Sequence, residues 1–467
     1  MRVLKYLLIV GLVAVLALPA IANRKKAIKD AGVLLRQVKI ELHANPPRLE
    51  SALSYLDTVL TQHGPHPEAY FFKGNIFGEY ANKEYDLKKK YDYLTVMAAN
   101  YDSLDMTCTG EIEVKKKLTK KCKDYVKNID SIRVYYWRDN YNNAVGLFPR
   151  IDEEYIPDVT AATDSAAKEA ARAALKAAAD SSKYYFMSAV ASQPDDYRAY
   201  RGLGVLFGRL EQYDSSKIWY TKAYEAEPDS VELMHQIAYA YIQTDSYDSS
   251  VLWYGRVLEK TPDDFTALTN TSYCYNRLQI PDSALVYNMM AIAVDPSDAD
   301  LHFDVGQHYL GKSMEYSEKI GDIQSKGDEA GDAEKAEKAE LEKVREAMFD
   351  SCSVYFGKCI ELDSSNVNAL GNYGIVKMLL AEYAAAEVVF KKLTELQPMI
   401  KENWIDLGDI YIKLERFEDA IVPYEKATEL DPGDERLWEV LYDLYQSNGM
   451  TEKANEAKAK LEELRGL

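Results

Sequence analysis

Residues Lys401–Asp434 read KENWIDLGDIYIKLERFEDAIVPYEKATELDPGD, and the rest of the chain can be read outward from them. Trp404, Leu407, Gly408 and Tyr411 recur at three- to four-residue spacing, which places them on one face of a helix. Ala420, Tyr424 and Ala427 repeat that spacing in a second run, and Pro432 stops it. The large residues form an apolar stripe. The small residue among them lets two helix axes approach. A pair of helices built this way still leaves apolar surface uncovered, so neighbouring pairs must stack to bury it.

The pattern returns along the chain. Pro228, Pro262 and Pro296 are 34 residues apart, and so are Pro398 and Pro432. The unit from Tyr197 carries Tyr200, Leu203, Gly204 and Phe207, then Ser216, Tyr220, Ala223 and Pro228. The unit from Val231 carries Met234, Ile237, Ala238, Tyr241, Ser250, Tyr254 and Val257. The units from Phe265 and Val367 keep the register with Leu268, Ser272, Tyr275 and Ala284, and with Leu370, Gly374, Ala386 and Phe390.

On these residues the chain resembles the tetratricopeptide-repeat family, most fully over Lys401–Asp434 and with good coverage from Tyr197 to about Leu467. The resemblance implies an all-α fold, a right-handed α-α superhelix. It also implies work as a binding scaffold rather than as an enzyme.

The unit from Ala299 starts normally with His302, Val305, Gly306 and Tyr309, but its second helix resumes only at Cys352, Phe356 and Cys359. The intervening stretch is rich in Glu, Lys and Ala. It predicts both helices lengthened by several turns around a loop near Lys326–Asp332, a projecting helical hairpin. Its use is either a contact arm or a solvated charged spacer.

The N-terminal third is less regular. Ala52, Leu56 and Val59 suggest the second helix of a degenerate unit, and Pro67, Tyr70, Gly74 and Phe77 the first helix of the next. Asp102–Lys123 loses the pattern and turns basic, with Lys115, Lys116, Lys117, Lys120 and Lys121. Asp124–Leu147 reads as a helix, Pro149–Pro157 as a linker, and Ala161–Ala191 as an alanine-rich helix that leads into the Tyr197 unit. The expected divisions are a signal peptide over 1–22, repeat-like helices over 23–105, and an irregular helical insertion with the alanine-rich helix over 106–196. Regular units follow over 197–311, the inserted hairpin over 312–348, and regular units with a capping helix over 349–467.

Arg2 and Lys5 precede an apolar run from Tyr6 to Leu18, and Ala20-Ile21-Ala22 is a small-x-small site, so the start reads as a cleavable secretory signal. The alternative is a retained anchor, which the shortness of the run disfavours. Periplasmic or secreted placement follows, with no membrane insertion after cleavage. Of the five cysteines, Cys108 and Cys122 are the best candidate disulfide, with free thiols as the alternative; Cys352 and Cys359 read as small core residues. The net charge of −19 argues against nucleic-acid partners, which need a basic surface.

No catalytic, cofactor or metal constellation is found. His63 and His66 flank Gly64-Pro65 and read as a polar loop; His302 and His308 do not share a helix face. An enzyme has room only for a cryptic site within Asp102–Pro157.

The family's first helices line a concave surface, and the resemblance carries that role to Arg198, Arg201 and Arg209, to His235, Tyr239 and Gln243, to Tyr273, Asn276 and Arg277, and to Phe303 and Gln307. Arginine and tyrosine are enriched at binding hot spots, and arginine grips carboxylates bidentately. The expected partner is therefore a protein or peptide with an acidic segment, against the alternative of an ordinary solvated face. A lysine–asparagine clamp for a terminal carboxylate is not present: Arg201 is followed by Val205, and His235 by Tyr239. A structural subunit of an envelope or secretion assembly is the second functional class.

Overall fold

The structure, a computed structural model, describes residues 21–109, 116–327 and 331–466, with side chains described outside 21–29 and 116–119. Most of the expected signal peptide lies outside them, and so do the side chains of Lys115–Lys117. Among the described residues every regular element is a helix and there is no strand. The chain falls into two compact units, one ending at Asp245 and one running from Ser246.

In the unit from Ser246, first and second helices alternate. Phe265–Arg277 is followed by Pro281–Val294, Val367–Leu379 by Tyr383–Leu396, Lys401–Lys413 by Phe417–Leu430, and Glu435–Ser447 by Thr451–Leu464. Side-chain caps mark where four of the five first helices start; Lys401–Lys413 follows Ile400, whose side chain caps nothing. The Asp264, Asp298, Asn366 and Asp434 carboxylates or amide accept the backbone N–H of the second or third helical residue, satisfying donors that have no intrahelical partner. The proline six residues before a step-four donor also has a use. Trp404 and Trp438 donate their indole N–H to the carbonyls of Pro398 and Pro432, at 2.9 and 3.0 Å.

The first helices end in a left-handed residue at step fifteen, counting the first residue of each unit as step one. These residues are Gln279, Ala381, Glu415 and Gly449. The next N–H reaches back to the carbonyl five residues earlier: Ile280 to Tyr275, Glu382 to Lys377, Arg416 to Tyr411.

Ala299–Ser325 and Asp332–Leu362 are the long helices of the interrupted unit, running without a break through 312 and 348. Ser313, Ile320, Phe349, Cys352 and Phe356 are buried there, and Lys326 pairs with Glu334 at 2.5 Å.

In the unit up to Asp245, Leu49–His63 buries Ala52, Leu56 and Val59 completely. Three expectations need correction. The described residues of Asp102–Lys123 are helical: Leu87–Thr109 continues through Asp102, and Lys116–Val145 starts before Asp124. Leu94, Met97, Tyr101 and Leu104 pack on Ile129 and Tyr136, so an apolar seam persists beside the basic run. Pro149–Pro157 is not a linker: Phe148–Arg150, a π-helical turn Ile151–Tyr155 and Ile156–Ala161 follow one another. Both prolines sit in a first turn, where the missing N–H costs nothing. The alanine-rich helix begins at Ser165, capped by Asp164, rather than at Ala161. Cys108 and Cys122 form a disulfide with their Cα atoms 5.6 Å apart.

Candidate functional site

In the unit up to Asp245, Tyr197–Arg209 presents the three arginines in different settings. Arg198 is held by Asp196 and lies 4.1 Å over the Trp137 ring. Arg209 pairs with Asp152 at 2.9 Å and lies 4.1 Å over Phe148, so the helical segment after Phe148 is what positions it. Arg201 pairs with Glu232 of the next first helix. The Nε of Arg201 and the Nη1 of Arg209 are buried with no acceptor among the described residues. A guanidinium donor in that state is costly unless something accepts from it. Tyr220 lies within reach of both cations, yet burial pushes its hydroxyl up to about 12, so it stays a neutral donor. Tyr239 and Gln243 are exposed and His235 is half-buried on Val231–Ile242.

Beside Arg209 lies a cleft of about 590 Å³. Its floor is apolar, with Ile156, Val159, Leu175, Leu206, Phe207 and Leu210. Arg172, Lys176 and Lys183 stand at its edge, with Asp180 and Glu211. Lys183 is taken by Asp180 at 2.6 Å. Arg172 and Lys176 are exposed and meet no carboxylate at ion-pair distance among the described residues. Sequence reading missed this cleft because it took 149–157 for a linker. The signal was there in Ile151, Tyr155, Ile156 and Val159, spaced as one helix face.

In the unit from Ser246, Tyr273 and Arg277 gather at Tyr247. The two tyrosine rings are 6.1 Å apart edge to face, and the Arg277 guanidinium is 5.3 Å from the Tyr247 centroid. Asn276 and Gln307 are exposed. Phe303 does not join them: it is half-buried and packs on Phe356 in the cluster that holds Phe349 and Val376. Two acids on first helices went unnoticed in the sequence. Burial, with repulsion from Asp409 and Glu402, raises the Asp406 carboxyl to about 6. Desolvation, with Asp300 and Asp298, does the same to Asp304.

Lys121 of the basic run meets Glu68 within the chain at 3.6 Å, and Lys39 meets the same carboxylate at 2.6 Å. Among the described residues no group of three or more His, Cys, Asp or Glu side chains is placed to hold a metal ion. No described helix is long and apolar enough to cross a membrane.

Tetratricopeptide repeats stand at residues 197–230 and 402–434, which match that family. No curated protein sequence matches the chain. Solved structures similar to it include YrrB, described as a tetratricopeptide-repeat protein with an unusual peptide-binding site. That structure is 17% identical, covers 46% of this chain and 92% of its own, and superposes with a TM-score of 0.34. A tetratricopeptide-repeat protein from Parabacteroides merdae is 16% identical over 62% of this chain and 98% of its own, with a TM-score of 0.30. The P58(IPK) repeat domain is 13% identical over 91% and 99%, with a TM-score of 0.26.

Proposed function

We propose that the protein is an exported, non-catalytic scaffold that holds an acidic peptide or protein segment on its first helices, centred on Tyr197–Arg209. The observation that carries this reading is the Arg209 guanidinium. One of its N–H groups is buried without an acceptor, beside an open cleft with an apolar floor. A shift of the Arg209 side chain toward the cleft lets a ligand carboxylate supply that acceptor, and a bulky apolar side chain fills the floor, so the two requirements describe one kind of peptide. Arg172, Lys176 and Arg201 add positive charge around it. The helix-pair repeats support a scaffold role, because stacked pairs offer long faces. Export is supported by the apolar stretch Tyr6–Leu18 with its Ala20-Ile21-Ala22 site, and by a disulfide of the sort that persists in oxidising compartments.

Selection of random peptides displayed against the folded protein tests the reading. Peptides combining Asp or Glu with a large apolar residue are expected. Titration of a selected peptide should then show Arg209→Gln weakening it about a hundredfold, in the range for buried hot spots, and Arg172→Glu with Lys176→Glu weakening it about tenfold, as charges on a rim do. Enrichment of basic or featureless peptides, or binding that ignores those changes, overturns it.

A further inference from the structure

The second helices carry a feature that a first-helix ligand leaves unused. In the unit from Ser246, step twenty-two is Leu252, Val286, Val354, Val388 and Val422 in five successive repeats, and Glu456 in the last. All five are exposed, between 55% and 69%. Ile218 holds the same step in the other unit and is exposed alike. On the same helices steps twenty, twenty-four and twenty-seven are buried, as with Ala386, Phe390 and Leu393 or Ala420, Tyr424 and Ala427. Step twenty-two therefore points away from the seam that the repeat pattern explains. Valine there gives up helix propensity and gains no packing within its own chain. Single exposed apolar residues need no explanation, but an unbroken row does.

The row has a middle. Pro281–Val294 adds Met290 and Val294 at four-residue steps from Val286, all exposed, so apolar surface runs along this helix as well as across it.

The row also has charged flanks of opposite sign. Four residues before it stand Asp248, Asp282, Asp350 and Glu418, with Ala384 in the remaining repeat. Four residues after it stand Arg256, Lys358, Lys392 and Lys426, with Met290 in the remaining repeat. Some of these make surface pairs, Asp282 with Lys312 and Lys426 with Glu429 among them, and such exposed pairs are worth little.

We propose that this face pairs with the same face of a second copy of the chain. A surface that is apolar in the middle, acidic on one side and basic on the other is complementary to itself about one axis. A two-fold axis parallel to the row lays apolar on apolar and turns each acidic flank onto the partner's basic flank. A two-fold along the helices would lay acid on acid. An isologous contact needs this self-complementarity, and the charges select one of the two arrangements. The first helices stay open in such a dimer.

Sedimentation equilibrium of the purified chain across the micromolar range tests the proposal. A dimer is expected. Val286→Asp with Val354→Asp, both on exposed sites, should weaken it about a hundredfold while circular dichroism stays unchanged and melting matches that of wild type at concentrations too low for the dimer. Two charge-reversed chains form the second arm. One carries Asp248→Lys, Asp350→Lys and Glu418→Lys; the other carries Arg256→Glu, Lys358→Glu and Lys426→Glu. Each alone should be monomeric, and the mixture should form a heterodimer. A wild-type chain that stays monomeric, a dimer indifferent to the valine changes, or reversed chains that do not associate when mixed overturns the proposal.

Discussion

Tyr424 packs against the backbone of Gly408: a β-carbon on the glycine would sit 2.6 Å from a ring carbon of the tyrosine. The same relation holds between Gly374 and Phe390, Gly306 and Phe356, and Gly204 and Tyr220. Where Ser272 takes the glycine's place, Asn288 takes the aromatic's. Steps eight and twenty-four thus set the distance between paired helices. Gly408→Ala must push ring or helix aside and should cost about 1–3 kcal/mol, as overpacking does. Gly371 sits in a neighbouring helix with nothing near its missing β-carbon, so Gly371→Ala should instead stabilise by up to about 1 kcal/mol. Urea unfolding of the two variants against wild type reads both signs.

Ala381 is held at φ 56°, a left-handed conformation that an L side chain resists. Its N–H and that of Glu382 close the end of Val367–Leu379, so the conformation is imposed by the turn. Ala381→Gly should raise the urea midpoint by the equivalent of about 1 kcal/mol. No gain, or a loss, in that midpoint would contradict the assigned turn.

The carboxyls of Asp406 and Asp304 are raised from the usual 3.8 to about 6, burial being the first cause. For an acid raised on folding, the folded chain binds more protons than the unfolded one between those values. Its contribution is fully favourable below about pH 4 and is lost as pH rises through about 6. Asp304 keeps an open side to solvent, which makes Asp406 the cleaner probe. Asp406→Asn should raise the melting temperature at pH 7, leave it little changed at pH 4, and flatten the slope between. Equal shifts at both pH values would count against a buried carboxyl.

Cys108–Cys122 closes a sequence separation of 14 residues, a loop whose cross-link is worth about 3 kcal/mol in the chain-entropy account. Cys108→Ser with Cys122→Ser, or a reductant, should lower the melting temperature of the first unit. Cys352 and Cys359 behave otherwise: burial pushes their thiols up to about 12 and about 11. With Cys274, also buried, they should resist maleimide until the chain is unfolded. Labelling of the native protein at these three sites would show the packing to be looser than described.

Much of the repeat region could be read from the linear chain because its cause is local and periodic. Pro228, Pro262, Pro296, Pro398 and Pro432 each stand two residues past the end of a second helix, and the glycine–aromatic pairs recur at fixed spacing. The candidate site was only half legible. Arg201, Tyr239 and Tyr273 could be placed by register, but Phe303 shares that register and packs on Phe356 instead. The cleft beside Arg209 was hidden because Pro149 and Pro157 look like punctuation, although both stand where a helix tolerates them.

The sequence by itself determined the helix boundaries of the regular repeats, the pairing of small with aromatic steps, and the need of each pair for a neighbour, since these follow from spacing along one chain. Only the tertiary structure decided what covers each side chain. It left the valines of step twenty-two open, buried the Arg209 guanidinium N–H without an acceptor, and joined Cys108 to Cys122. Burial and partnership depend on segments that meet in space, and no local spacing encodes which segments those are.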